Sequence, residues 1–138
     1  TEEIREKGER VGFKIITLSG KEGILAHKDL ITPYKVSKYF VSIENLENIG
    51  VIEIEKGILL KNCLIVIDEI GKMELFSVKF KKVVIDAFES KNKLLATILY
   101  KPNPFCDALK QRKDTKIYTL ERTNFNRIKE EILYTLTL

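Results

Sequence analysis

Two adjacent carboxylates, Asp68 and Glu69, directly follow an apolar run from Leu64 to Ile67. Four consecutive branched or long apolar residues predict a strand buried on both faces, which is typical of a parallel sheet covered by helices. Open α/β sheets bind ligands in the crevice beyond the carboxyl ends of their strands. The sequence therefore predicts that Asp68 and Glu69 stand at the mouth of such a crevice.

An apolar strand ending in Asp-Glu is the Walker B pattern, in which the Asp holds Mg²⁺ and the following acid can orient a water. A buried strand that leaves its sheet through two solvated acids would look the same, and the pattern is too short to decide between them. The phosphate-binding loop G-x-x-x-x-G-K-[ST] that usually accompanies Walker B does not occur. Gly20-Lys21 is followed by Glu22, and Gly71-Lys72 is followed by Met73.

The composition indicates a soluble globular domain, with 138 residues, 44% of them hydrophobic and 32% charged. The net charge of +4 comes from lysines interleaved with glutamates, which is not the basic stripe of a nucleic-acid-binding protein. No apolar run approaches the length that spans a bilayer. Cys63 and Cys106 form no CxxC pair and His27 is the only histidine, so we expect no zinc site. Two lone thiols also predict that the protein resides in the reducing cytosol.

Hydrophobic periodicity predicts alternating strands and helices. The predicted strands are 11–18 and 22–26, joined as an antiparallel hairpin, then 64–67, 94–98 and 116–120. Residues 28–40 are predicted as a loop, and residues 51–58 as a helix because a parallel sheet needs a crossover before Leu64.

The remaining predicted helices begin at polar caps. Ser42 caps one, Ser77 caps a second with an apolar stripe from Phe80 to Phe88, and Asn103 caps a third. The last starts near Thr123 or Asn124 and is expected to bury Phe125, Ile128, Ile132 and Leu136. These elements predict a three-layer α/β domain with an inserted hairpin.

The run from Asp68 to Leu75, DEIGKMEL, resembles the signature of a small family of bacterial and archaeal nucleoside-triphosphatases. The vertebrate branch of that family is called cancer-related nucleoside-triphosphatase. Five further segments are similar to the family in the same order and extend the resemblance over essentially the whole chain: Thr1-Glu2-Glu3, Gly12-Phe13-Lys14, Lys38-Tyr39-Phe40-Val41, Ala96-Thr97-Ile98 and Pro104-Phe105.

The resemblance implies a P-loop NTPase-type three-layer fold with a mostly parallel sheet and an inserted antiparallel β-hairpin, formed by residues 1–138 as a single α/β domain. In the family, the Thr-Glu-Glu segment follows a first strand, the P-loop, a helix and a second strand, on the order of thirty residues. The sequence begins at Thr1 and its only methionine is Met73. We therefore expect this N-terminal segment to be missing from the chain.

The function implied by the resemblance is the Mg²⁺-dependent, cytoplasmic hydrolysis of nucleoside 5′-triphosphates, ATP and GTP among them, to the diphosphate and phosphate. Asp68 is expected to hold Mg²⁺ through a water, and Glu69 to act as the catalytic group that orients the attacking water. Thr97 and Asn124 are expected to contact the nucleotide. Family members commonly carry Asn-Arg near the last helix, whereas Phe125 follows Asn124 here.

Two alternatives remain open on the residues alone. A nucleotide or small-molecule kinase could share the fold, although its lid is usually rich in arginine and this chain has only five arginines. A non-catalytic interaction domain is the other alternative if the chain is complete. Lys72 and Glu74 are interpreted as a solvated rim, and Lys38 and Tyr39 either line the crevice or pack against the sheet.

Overall fold

The computed structural model describes residues 1–138, which form two compact units, Thr1–Tyr100 and Lys101–Leu138. The first unit contains β1 (Glu2–Glu6), β2 (Glu9–Ile16), β3 (Glu22–His27), β4 (Lys35–Val36), β5 (Tyr39–Val41), α1 (Ile43–Asn45), a π-helical turn (Leu46–Val51), α2 (Ile52–Leu59), β6 (Leu64–Ile70), a 3₁₀ turn (Glu74–Phe76), α3 (Val78–Glu89) and β7 (Lys93–Ile98). The second unit contains α4 (Pro104–Lys110) and α5 (Phe125–Thr137).

Five strands of the first unit form an antiparallel sheet in the order β1-β2-β3-β5-β4. The predicted hairpin is confirmed as β2 and β3, which pair from Gly12–His27 to Ile16–Glu22. The Thr17 N–H donates to the Lys21 carbonyl at 2.8 Å and closes the turn. Gly20 adopts a φ of +94° there, a left-handed conformation that glycine takes without a steric penalty.

The loop predicted for residues 28–40 is wrong at its end, because β4 and β5 form a short hairpin on the edge of this sheet. Val41 of β5 pairs with Ala26 of β3. Tyr39 and Val41 are buried, since alternate side chains of a strand point to the same face. The pairing adds a strand to an existing edge, which local sequence does not reveal.

A second sheet consists of β6 and β7, which run parallel as expected for a strand–helix–strand unit. The prediction that this strand is buried on both faces is wrong. Ile65 and Ile67 are buried, but Leu64 and Val66 are 41% and 48% exposed. Among residues 1–138, β6 pairs with one strand and has one covered face. The α/β class is thus confirmed, whereas the mostly parallel sheet is not seen among the seven strands.

Helix α2 packs on β6, and α3 packs on α2. The predicted Ser77 cap of α3 is confirmed, with its hydroxyl accepting the Phe80 N–H at 3.0 Å. The stripe predicted for this helix is buried at Phe80, Val83, Val84 and Ala87. On α2, Gly57 lies against β6, with Ile65 Cγ1 3.4 Å from the Cβ position of the glycine. This packing fixes β6, which carries Asp68 and Glu69.

The second unit contains the two C-terminal helices. The Asn103 cap of α4 is confirmed, because its side chain accepts the Cys106 N–H at 3.1 Å. In α5 Ile128 is buried, but Phe125 is 54% exposed and its predicted place in the core is wrong. Residues 116–120 form no strand, since no other strand pairs with them despite their alternating pattern. None of the helices is both long enough and apolar enough to cross a membrane.

Candidate functional site

Asp68 and Glu69 lie at an irregularity in the β6–β7 ladder. Ile67 pairs with Ala96 and Ile70 pairs with Ile98, so three steps along β6 face two steps along β7. An extra residue of this kind bends a strand and redirects side chains, and such bulges are common beside active sites. The expectation that β6 ends before Asp68 is wrong, because the strand continues through both carboxylates to Ile70.

The Asp68 carboxylate is held by a residue of the neighbouring strand. The Thr97 hydroxyl of β7 donates to Asp68 Oδ1 at 2.6 Å. The backbone carbonyl of Asp68 accepts from the Thr1 nitrogen at 3.0 Å, which brings the start of the chain to this position. Two residues that were predicted separately, Asp68 and Thr97, are therefore brought into direct contact at the carboxyl ends of β6 and β7.

The Glu69 side chain folds over Gly71. A Cβ placed on Gly71 would lie 2.8 Å from Glu69 Oε1 and 2.9 Å from its Cδ, closer than real Cβ contacts allow. Glu69 is exposed and no hydrogen bond or ion pair holds its carboxylate. The missing side chain of Gly71 is therefore what leaves room for this carboxylate.

Glu74 is buried, although the sequence predicts that it is exposed. Its interpretation as a solvated rim fails, because the side chain is 5% exposed. Glu74 Oε2 accepts the Gly71 N–H at 3.2 Å, which closes the turn after β6. Lys72, between them, is exposed as expected. The one sequence signal for burial is that Glu74 stands between two apolar residues, Met73 and Leu75.

The burial of Glu74 changes its acidity. Desolvation raises the pKa of this carboxyl to about 7, since the interior disfavours its charged form. The negative charge of Glu69 raises the pKa further, while hydrogen bonds from the backbone N–H groups of Glu74 and Gly71 and the charge of the Thr1 amino group oppose the rise. Two carboxyl groups thus contact Gly71 and interact electrostatically.

Lys38 and Tyr39 pack against the antiparallel sheet, which is one of the two roles that the sequence allows them. Tyr39 is 4% exposed and its ring meets Phe13 edge-on, with centroids 5.2 Å apart. Arg10 donates to the Tyr39 hydroxyl at 3.0 Å, and Lys38 pairs with Glu9 at 3.2 Å. These contacts stabilise the antiparallel sheet.

Asn124, the remaining predicted site residue, lies in the second unit just before α5. Its Oδ1 accepts the Glu121 N–H at 2.8 Å and its Nδ2 donates to the Thr119 carbonyl at 3.0 Å. Both ends of the amide therefore stabilise the loop ahead of the helix. Its contact with a nucleotide stays a prediction.

The two Gly-Lys pairs of the chain, which could suggest phosphate binding, lie in turns. The Gly20-Lys21 pair belongs to the β2–β3 turn and Gly71-Lys72 to the turn after β6. No group of three or more His, Cys, Asp or Glu side chains is arranged to hold a metal ion by protein ligands alone. The grouping of Asp68, Glu69, Thr97, Gly71 and Glu74 is accordingly the candidate site.

Comparison with known proteins shows which proteins the chain resembles. Residues 1–133 match the model of a family described as NTPase. The chain is 51% identical to the nucleoside-triphosphatase THEP1 of Thermotoga sp. (strain RQ2), over 99% of this chain and 78% of that protein. It is 33% identical to the human cancer-related nucleoside-triphosphatase, over 96% and 76% of the two chains. The crystal structure of THEP1 from Aquifex aeolicus superimposes with a TM-score of 0.83 at 31% identity, covering 91% of this chain and 77% of that one.

Proposed function

The chain belongs to the NTPase family, and from that premise we propose that it catalyses the Mg²⁺-dependent hydrolysis of nucleoside 5′-triphosphates to the diphosphate and phosphate. The family match favours a hydrolase over the kinase and the non-catalytic domain. The observation that carries the proposal is the placement of Asp68 and Glu69 at a bulge of β6, with Thr97 bonded to Asp68.

The donor set fits a magnesium ion. Mg²⁺ in nucleotide sites takes one or two carboxylates and completes its shell with waters and substrate phosphates. Asp68 offers hard carboxylate oxygens, one of which is oriented by the Thr97 hydroxyl. We assign Asp68 to hold Mg²⁺ through a water. When bound, the ion neutralises charge on the phosphate oxygens.

Glu69 is proposed to orient the attacking water. Its carboxylate is exposed and has no partner within the chain, so both oxygens can accept hydrogen bonds from a water beside the terminal phosphate. Phosphoryl transfer asks little covalent chemistry of the protein, and most of the rate enhancement comes from positioning and electrostatic stabilisation. Glu69 would supply the positioning of the water, and the Mg²⁺ held by Asp68 would supply the electrostatic stabilisation.

The remaining parts of the proposal concern the nucleotide. Asn124 and Thr97 are proposed as nucleotide contacts on the family resemblance, with Thr97 also acting through Asp68. ATP, GTP and other nucleoside triphosphates are the proposed substrates. We propose that binding of the triphosphate requires a P-loop, a motif that does not occur in residues 1–138. We propose a cytoplasmic location, because two cysteines without a CxxC spacing suit a reducing compartment.

The test uses these 138 residues joined to a P-loop segment ahead of Thr1, here named the extended chain. Glu69→Gln keeps the size of the side chain but removes its charge and basicity. It should lower turnover by the ~10²–10⁴ typical of a lost general base and leave Mg·ATP binding nearly intact. Asp68→Asn should instead weaken the metal-dependent part of binding.

Two controls accompany this test. The 138 residues without the P-loop segment should bind Mg·ATP poorly in calorimetry. Micromolar binding by them would contradict the assignment of triphosphate binding to the P-loop. Unchanged phosphate release in Glu69→Gln would remove Glu69 from the mechanism. Release that requires an added phosphate acceptor would show a kinase.

A further inference from the structure

The turn after β6 contains a buried acid that hydrolysis by Asp68 and Glu69 does not use. Glu74 is almost fully buried, and its Oε2 accepts the Gly71 N–H at 3.2 Å. A buried acid is costly to maintain unless it is hydrogen-bonded, and a purely structural turn could be closed by a neutral side chain. This turn differs from a purely structural one because the Glu69 carboxylate lies against Gly71 on its outer side.

Gly71 contacts both carboxyl groups. Its N–H donates to Glu74, and the space where its Cβ would lie is occupied by the carboxylate of Glu69. Gly71 has no positive φ, so an alanine would suit its backbone. The three atoms nearest to that Cβ position all belong to the Glu69 side chain, with Oε1 at 2.8 Å, Cδ at 2.9 Å and Cγ at 3.1 Å. The glycine therefore serves the placement of Glu69 rather than the backbone conformation.

We propose that Glu74 and Gly71 are positioning residues for Glu69: Glu74 fixes the turn through the Gly71 N–H, and Gly71 leaves the volume in which the Glu69 carboxylate rests. This inference rests on the proposed role of Glu69 in hydrolysis. A misplacement of a reacting group by about 1 Å can cost ~10²-fold in rate. The turn thus controls turnover without contacting substrate.

The substitutions separate this role from general stability. Glu74→Leu fills a similar volume but removes the acceptor of the Gly71 N–H, whereas Glu74→Gln keeps one acceptor oxygen. Gly71→Ala displaces Glu69 while leaving the backbone unstrained. Gly50→Ala is the matched glycine control, because its nearest neighbour is Leu46 Cδ1 at 3.4 Å. Ser42→Ala removes the cap of α1, which accepts the Asn45 N–H, and reports the effect of lost stability alone.

Steady-state hydrolysis of Mg·ATP by the extended chain is the measurement. Glu74→Leu and Gly71→Ala should each lower kcat about 10-fold or more, with KM changed less than about 3-fold, because misplacing a water-orienting group affects the transition state more than ground-state binding. Glu74→Gln should restore kcat to within about 3-fold of the wild type. Gly50→Ala and Ser42→Ala should keep the wild-type kcat even where the melting temperature falls.

A double variant tests whether the three residues act as a unit. Glu69→Gln combined with Gly71→Ala should be no slower than Glu69→Gln alone. Once the Glu69 carboxylate has been removed, displacing the side chain at position 69 cannot lower kcat further. The pH profile of kcat supplies a second readout. An inflection near pH 7 in the wild type, where the Glu74 carboxyl changes charge beside the Glu69 carboxylate, should be absent in Glu74→Gln.

The outcomes distinguish this inference from the function on which it rests. A slow Glu69→Gln together with normal kcat in Gly71→Ala and Glu74→Leu would overturn the positioning role and leave the hydrolytic role of Glu69 in place. Multiplicative losses in the double variant would overturn it as well. A fully active Glu69→Gln would overturn both.

Discussion

The Thr97 hydroxyl donates a 2.6 Å hydrogen bond to Asp68 Oδ1 across the parallel pair β6 and β7. The two residues are 29 positions apart in the chain and meet because both strands end at the same edge of the sheet. A hydroxyl bonded to a charged carboxylate forms a short, strong contact and fixes the direction in which the second oxygen points. Thr97 therefore orients the group proposed to hold Mg²⁺.

Thr97→Val should lower the affinity of the extended chain for Mg²⁺. Valine keeps the shape of threonine but cannot donate, so Asp68 loses its orientation while the strand packing survives. Removing a partner that orients a metal-holding carboxylate typically costs 10–100-fold in metal affinity. We expect the Mg²⁺ concentration for half-maximal hydrolysis to rise about 10-fold, with Thr97→Ser close to the wild type. Equal Mg²⁺ dependence in Thr97→Val and the wild type would contradict this role.

Glu74 should make the stability of the protein depend on pH in a specific direction. Burial raises its pKa from 4.5 to about 7, so between these values the unfolded chain has released the proton that the folded chain retains. Unfolding then releases a proton, and raising the pH favours it. The contribution of Glu74 is therefore most favourable below pH 4.5, declines up to pH 7, and reaches a penalty of about 3 kcal/mol.

Urea unfolding at several pH values checks this dependence. The difference in unfolding free energy between Glu74→Gln and the wild type should grow in favour of the variant as the pH rises from 5 to 8. Glu44→Gln, at an exposed position of α1, should show no such trend. A difference that stays constant over this interval would mean that Glu74 titrates in the same range in both states.

Phe125→Arg should change stability little. The side chain is 54% exposed on α5, and exposed substitutions usually stay within about 0.5 kcal/mol. A cation in the first turn of a helix adds only a few tenths of a kcal/mol of unfavourable interaction with the helix dipole. Ile128→Arg is the control on the same helix, because Ile128 is 3% exposed and burying an unpaired charge there should be severely destabilising. Thermal melts compare the two, and similar losses in both would place Phe125 in the core.

Several elements could be predicted because their signals are local. The Ser77 cap and the buried stripe of α3 follow from residues within one helix, and the β2–β3 hairpin follows from alternation around Gly20. The failures share a different cause. Residues 116–120 alternate like a strand but have no partner strand, and Phe125 lies on an apolar stripe whose face is not covered there. Periodicity shows which residues could be buried together, whereas burial itself requires something to pack against them.

The family and the α/β class could be read from the residues alone, because they follow from short segments and periodicities along the chain. The pair Asp68–Glu69 near the carboxyl end of β6 could be read in the same way, because it directly follows one apolar run. Three contacts became visible only in the folded chain: Thr97 bonds to Asp68, the Glu69 carboxylate lies over Gly71, and the buried Glu74 bonds to the Gly71 N–H. The ladder irregularity between Ile67 and Ile70 and the packing around the turn set these contacts. Neither follows from local sequence, because the direction of a side chain depends on backbone that other segments hold in place.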